Sequence, residues 1–158
     1  MAKHAGYTME TDPEKTARAV GKEMPISPKA ALEICRNVRG MPLAKAKTFL
    51  EGVVAGTQAV KYRRHLYQIT HQKGGIGPGR FPKKAAHHIL QVVTDAEANA
   101  EYKGFDIEQL RVLHIAANHG RTWHQRMPRA HGVSTQKDRQ TVNIEVILEF
   151  LEKKEKEE

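Results

Sequence analysis

The first dozen residues carry no repeating apolar face and read as a loose tail, after which residues 16–20 form a short candidate strand. Ser27 and Pro28 have the residue types of an N-cap and a first helical position. Behind them Ala31, Leu32, Cys35 and Val38 recur at helical spacing up to Gly40, a suitable left-handed C-terminal cap. The spacing predicts a first helix. A second opens at Pro42, with Leu43, Ala46, Leu50, Val53 and Val54 on one face, Lys45, Lys47 and Glu51 turned outward, and an end near Gly56. A third runs from about Pro82 to Lys103 around the stripe Ala86, Ile89, Leu90, Val93, Ala96 and Ala100, and Gly104 stops it. Between the second and third helices, residues 61–82 (KYRRHLYQITHQKGGIGPGRFP) fit no single period and read mostly as an ordered surface loop.

The last third of the chain changes period from helix to strand. Leu110, Val112, His114 and Ala116 alternate with Arg111, Leu113, Ile115 and Ala117, and Val142, Ile144, Val146, Leu148 and Phe150 alternate with mostly polar neighbours. Residues 118–141 (NHGRTWHQRMPRAHGVSTQKDRQT) are polar and basic and turn near Pro128 to Gly132. If both arms continue as strands, each adds about ten residues and the ribbon projects roughly 30 to 35 Å. The expected fold is α+β: three helices packed on a small antiparallel sheet with a long protruding β-hairpin. The expected organisation is a single domain, with a globular part of residues 12–117 and 142–151, an extended hairpin of residues 118–141, and tails at residues 1–11 and 152–158. A two-stranded ribbon without a core is marginal in water, so it is expected to order only against something else, as a binding device.

Charge narrows the choice of partner. The 158 residues include 26 Lys and Arg against 18 Asp and Glu, a formal charge of +8. From residue 52 to residue 94 there are seven cations (Lys61, Arg63, Arg64, Lys73, Arg80, Lys83, Lys84) and no acid. From residue 111 to residue 139, Arg111, Arg121, Arg126, Arg129, Lys137 and Arg139 face Asp138 alone. The remainder is net acidic, so the basic charge is concentrated in two blocks, as a phosphate-contacting surface requires. Trp123 is a candidate for stacking on an unpaired base or for packing on hairpin neighbours, and Tyr62, Tyr67 and Phe81 carry the same two readings. Gly74, Gly75, Gly77 and Gly79 permit close approach of backbone to RNA, or simply a flexible loop. Cys35 is the lone cysteine, which leaves no intrachain disulfide and fits a reducing compartment. No apolar run approaches the roughly 18 to 20 residues that span a bilayer, and a soluble intracellular protein is expected.

Catalytic chemistry finds little footing. The nine histidines include no HExxH pair, and His114, His119 and His124, five residues apart, fall on alternate faces of a strand. The segment KGGIGPGR lacks the Gly-Lys-Ser/Thr ending of a phosphate-binding loop. Asp95 with Glu97 and Asp106 with Glu108 read as solvated positions. The expectation is therefore no enzyme, no catalytic or metal site, no cofactor and no small-molecule substrate. Two alternatives stand beside it: a free-standing basic nucleic-acid-binding regulator, which would need a recognition helix or a dimer seam although the helices are already explained as core elements, and a His-dependent nucleic-acid enzyme, whose activity a single His or acid substitution would abolish.

Three segments carry a family resemblance: RGMPLAKAKTFLEGVVAG, GRFPKKAAHHILQVVTDAEANAEYKG and MPRAHG at the hairpin turn. Over residues 12–151 the chain resembles the universal large-subunit ribosomal protein family number twenty-two, in its archaeal and eukaryotic form. The resemblance implies a cytoplasmic protein of the large ribosomal subunit, seated near the exit of the polypeptide tunnel with its hairpin threaded inward through large-subunit rRNA. By it, Lys61, Arg63, Arg64, Lys73, Arg80, Lys83 and Lys84 contact rRNA from the globular part. The second basic block extends the rRNA-binding set with Arg111, Arg121, Arg126, Arg129 and Arg139, and with Trp123 as a stacking candidate. Met127, Pro128, Arg129, Ala130, His131 and Gly132 are implied to line the tunnel constriction. Implied partners are rRNA, neighbouring large-subunit proteins at the tunnel and transient nascent chains, with no membrane. The Gly-rich loop resembles the insertion that separates the archaeal form from the bacterial one. The descending arm VSTQKDRQT is less basic than the bacterial equivalent, and His131 stands where another basic residue is common.

Overall fold

In the computed structural model, which describes residues 7–151, the chain runs β1 (Thr16–Met24), α1 (Pro28–Val38), α2 (Leu43–Ala55), β2 (Val60–Lys61), β3 (His71–Gln72), β4 (Gly77–Arg80), α3 (Lys83–Tyr102), β5 (Leu110–Trp123), β6 (Arg126–Pro128), β7 (Ser134–Gln136) and β8 (Arg139–Phe150). The main sheet is antiparallel with the order β1-β8-β5. α3 packs across β1 and β8, α1 against β5, and α2 against α3. The architecture is the α+β arrangement that the apolar periods predict, including the C-terminal hairpin.

The helices form where the stripes place them, with shifts in which residues are innermost. Ser27 occupies the N-cap of α1 but makes no side-chain capping bond, and Gly40 follows the helix at φ 81°, the left-handed region that favours glycine. Ile34 and Glu33 join Ala31, Cys35 and Val38 in the interior, whereas Leu32 is only half-buried. In α3, Ala85 and Val92 are buried and Leu90 lies at the edge of the core. Burial pushes the Cys35 thiol up to about 12, so it packs as a small apolar side chain. Lys47 is not turned outward: its Nζ lies 2.6 Å from Glu97 Oε2, which ties α2 to α3 and removes Glu97 from the set of solvated acids.

The core face of the sheet is built from Ala17 and Ala19 of β1, Val142, Ile144, Val146 and Leu148 of β8, and Leu110, Val112 and Ile115 of β5. On β8 the predicted alternation is kept. On β5 it breaks, because Val112 pairs with Leu148 and His114 with Ile147, leaving Leu113 as an extra residue. This bulge reverses the side-chain phase, so Ile115 enters the core and His114 turns to the opposite face, contrary to the uninterrupted alternation expected from sequence. β1 also extends beyond residue 20, through an irregularity between Gly21 and Met24.

The second face of the sheet is covered as well, since Ile147 is fully buried and Glu145 is 4% exposed. Residues 7–12, expected to be a loose tail, lie there. The Thr8 amide donates to Glu145 Oε2 at 3.0 Å, the Thr8 hydroxyl donates to Glu145 Oε1, and His114 Nε2 lies 3.1 Å from the same oxygen. The Arg18 guanidinium sits 5.5 Å from the Tyr7 ring centroid. A chain segment with no apolar period is thus held by polar contacts, which periodicity cannot report. The rest of both expected tails, residues 1–6 and 152–158, lies outside the described residues.

Burial pushes the Glu145 carboxyl up, but the Thr8 hydroxyl and amide and His114 outweigh it and hold the group below its ordinary value of 4.5. A carboxyl depressed in the folded state stabilises fully above its unfolded value and loses that contribution as pH falls through the folded one. Wild type should therefore lose stability to urea below about pH 4.5 more steeply than Glu145→Gln, measured as unfolding midpoint against pH. Parallel pH profiles for the two proteins would show that the carboxylate is not held in this way.

Candidate nucleic-acid interface

The basic stretch after α2 is not an irregular loop throughout. β2, β4 and β3 make a small antiparallel sheet, with Val60 opposite Arg80 and His71 opposite Pro78. Val60 and Tyr62 bury their side chains in the core, and polar contacts from α1 fix the main chain beyond them. Glu33, on the inner face of α1 and fully buried, accepts the backbone N–H of Arg64 at 2.9 Å and of Arg63 at 3.2 Å. Asn37, one turn further along the same helix, donates to the Lys61 carbonyl at 3.1 Å. The two arginines are therefore fixed by their main chain, and their side chains stay exposed.

Lys61, Arg63, Arg64, Lys73, Arg80, Lys83 and Lys84 are all exposed, and among the described residues none lies within 4.0 Å of a carboxylate. Arg80 instead reaches the Gln68 carbonyl at 3.4 Å, and Lys83 the Ala55 carbonyl near the end of α2, also at 3.4 Å. Lys83 and Lys84 occupy the first turn of α3, which contains no acid. Cations at the positive end of a helix dipole are unfavourable by a few tenths of a kcal/mol to about 1 kcal/mol each. An anion placed there is favoured by both the dipole and the lysines.

The second basic block divides in two. Arg111 lies on the face of the sheet away from the helices, opposite Glu149 on β8, and its Nη2 is 2.6 Å from Glu149 Oε2. It works as a cross-strand ion pair away from the hairpin, unlike the other members of its block. Arg121, Arg126, Arg129 and Arg139 lie on the ribbon and are exposed. β5 and β8 pair as far as Trp123 opposite Arg139, and β6 and β7 continue the ribbon from Arg126 opposite Gln136 to Pro128 opposite Ser134. Every residue from 123 to 140 is exposed.

Trp123 packs on a hairpin neighbour and keeps part of its ring exposed. Arg121, two residues back and so on the same face, stacks 4.4 Å from the ring centroid, yet the side chain remains 46% exposed. At the tip, Ala130–Gly132 form one tight turn in which His131 (φ 59°) and Gly132 (φ 71°) are both left-handed, closed by Arg129 N–H donating to the Val133 carbonyl at 2.7 Å. Glycine accepts this conformation freely, and histidine does so at a cost. Of the three histidines at spacing five, His114 is engaged by Glu145 and His124 by Asp138 (3.2 Å), so these two belong to different local contacts. Sequence reasoning does not reach Glu33 and Asn37. An acid in an apolar helical stripe gives no sign by itself that distant amide groups require it.

The comparisons with known proteins agree on one family. The family model for ribosomal protein L22p/L17e matches residues 19–149. The large ribosomal subunit protein uL22 of Methanocaldococcus jannaschii is 50% identical over 145 residues, covering 90% of this chain and 93% of its own length. The protein of that name from Methanopyrus kandleri is 48% identical over 153 residues, with 93% and 96% covered. That of Ignicoccus hospitalis is 43% identical over 148 residues, with 90% and 93% covered.

Replacing the buried Glu33 by Gln removes the charge from two hydrogen bonds to main-chain amides and should destabilise the segment it holds by about 1.5 to 3 kcal/mol. Limited proteolysis should then cut between residues 61 and 72 faster than in wild type. Equal cleavage rates would mean that the main chain at Arg63 and Arg64 is held by something other than Glu33.

Proposed function

The chain belongs to the ribosomal protein L22p/L17e family, and from that premise we propose that it is a structural constituent of the large ribosomal subunit that binds large-subunit rRNA and lines the nascent-polypeptide exit tunnel with its hairpin. The observation that carries this reading is the ribbon of residues 123–140: it is exposed throughout, bears cations, and buries no core of its own. Such a ribbon is marginal in water and gains its order from a surrounding partner. The partner that matches it in charge is a phosphate backbone.

The division of labour follows from where the cations stand. Lys61, Arg63, Arg64, Lys73 and Arg80 project from the segment whose main chain Glu33 holds at Arg63 and Arg64, Lys83 and Lys84 from the first turn of α3, and together they would seat the globular part on rRNA. Arg121, Arg126, Arg129 and Arg139 would neutralise phosphates along the passage of the hairpin, with Trp123 available to an unpaired base. Met127, Pro128, Arg129, Ala130, His131 and Gly132, gathered at the turn, would form the wall past which nascent chains move, beside neighbouring large-subunit proteins. Arg111 would contribute less to rRNA binding than the others, because its charge is already met by Glu149. The chemistry asked of the protein is positional: counterion release drives association, and shape sets where it occurs.

Replacing Arg63 and Arg64 together by Ala should weaken binding to a large-subunit rRNA transcript and flatten the plot of log affinity against log salt by about 1 for each phosphate that is no longer neutralised. The double variant keeps the main-chain amides that Glu33 holds, so its unfolding midpoint should stay close to wild type. Weaker binding with an unchanged salt slope would mean that these side chains do not meet phosphates.

A further inference from the structure

Between the start of α1, the small β2-β4-β3 sheet and the start of α3 lies a cleft of about 510 Å³. Tyr62, Tyr67 and Phe81 line it together with His65, Arg80 and Lys29, and among the described residues no carboxylate does. We propose that this cleft receives a single unpaired nucleotide of the rRNA, its base against the Tyr67 and Phe81 rings and its phosphate toward Arg80 and Lys29. The proposal rests on the rRNA-binding reading above and adds a base-recognising site to a surface otherwise read as phosphate-contacting.

Four observations support it. The volume falls in the range of about 300 to 1,000 Å³ typical of clefts that hold small ligands, and a nucleoside-sized group fits there. The three aromatic rings have no aromatic partner: among the described residues the ring pairs are His87 with His88 and Phe105 with Phe150. Tyr67 is 84% exposed and Phe81 40% exposed, which leaves apolar rings facing water until something flat covers them. Finally, the loop that presents Tyr67 holds His65 (φ 54°) and Gln68 (φ 55°) in the left-handed region. Arg80, itself lining the cleft, donates to the Gln68 carbonyl and so braces that loop.

The ligand class follows from the combination. Bases stack on aromatic faces whatever their identity, and cations beside the rings meet the attached phosphate. A duplex keeps its bases stacked on one another and offers no free ring, so the cleft should distinguish RNA with unpaired nucleotides from fully paired RNA. An acidic peptide of a neighbouring protein would satisfy the cations but would leave the rings without a flat partner.

The test uses the full chain and a variant carrying Tyr67→Ala and Phe81→Leu, both at exposed positions, with Tyr62 left in place. Binding is measured to a large-subunit rRNA transcript and to a fully paired RNA duplex. The proposal expects affinity for the transcript to fall about fivefold or more, with the same salt slope as wild type and unchanged affinity for the duplex. Equal affinity of variant and wild type for the transcript would overturn it, as would an equal loss on both RNAs or a loss of ribosome incorporation at unchanged RNA affinity. The last result would assign the cleft to a protein neighbour. Ultraviolet crosslinking of the unmutated chain to the transcript is independent of the variant's folding and should place a nucleotide on Tyr67 or Phe81; adducts confined to the hairpin would contradict the cleft. If the wild-type chain does not prefer the transcript to the duplex and the Arg63 and Arg64 replacement leaves the salt slope unchanged, the rRNA-binding reading itself fails, and the cleft proposal with it.

Discussion

The pairing of β5 with β8 is the constraint on which the rest depends. It begins at Leu110 opposite Phe150, inside the core, and ends at Trp123 opposite Arg139, on the exposed ribbon. Over the first part Val142, Ile144, Val146 and Leu148 are buried beneath the helices, so slipping the register by one residue would exchange an apolar face for a polar one. Over the second part no apolar face is buried, and only the Thr141 hydroxyl at the root and the tight turn at the tip add local constraints on the register. The hairpin therefore inherits its alignment from the core, and the tip at Arg129 to Val133 is presented in a direction set by side chains far from it. Two irregularities adjust that direction. One is the bulge at Leu113; the other lies between His119 and Thr122, where the Thr141 hydroxyl donates to the Arg121 carbonyl at 2.7 Å and lies against Gly120. A Cβ on Gly120 would approach that hydroxyl to 2.5 Å, so the root of the ribbon closes because this residue is glycine.

Charge is used in two ways. Two paired cations join elements, Lys47 with Glu97 across α2 and α3, and Arg111 with Glu149 across β5 and β8. Where cations are unpaired they are displayed, on the segment from Lys61 to Lys84 and on the ribbon. Display has a thermodynamic cost, because like charges repel and two lysines oppose the dipole of α3. A polyanion removes that cost. Glu33 connects the two uses: as a buried acid it spends its acceptors on the amides of Arg63 and Arg64, and so fixes the main chain while leaving both guanidinium groups unclaimed.

What was legible in the sequence is what depends on period and on residue type. Helical stripes, the alternation of β8, the glycine stops at Gly40, Gly56 and Gly104, and the turn near Pro128 to Gly132 all follow from local rules. The phase reversal at Leu113 was not read from the sequence: LRVLHIAA is apolar at both 112 and 113, and only the pairing with β8 shows which residue is the extra one. The small sheet of β2, β3 and β4 was hidden for a related reason: its strands are two to four residues long, one of them is GPGR, and part of its anchorage comes from an acid thirty residues earlier. The contact of residues 7–12 with Glu145 and His114 rests on hydroxyl, amide and imidazole groups, for which no period exists. The exposed cations were visible as a cluster, while the cleft that gathers Tyr62, Tyr67 and Phe81 required the fold to bring them together.

The most direct measurement places a photoreactive amino acid at Met127, in the exposed ribbon just before the turn, in ribosomes carrying stalled nascent chains. A tunnel-lining tip should crosslink to the nascent chain when enough residues separate it from the peptidyl-transferase centre to reach the hairpin, and a photoreactive group at Lys45 on α2 should not. Crosslinks from position 127 to rRNA or ribosomal proteins alone, at every nascent-chain length, would contradict the placement of the hairpin in the tunnel wall.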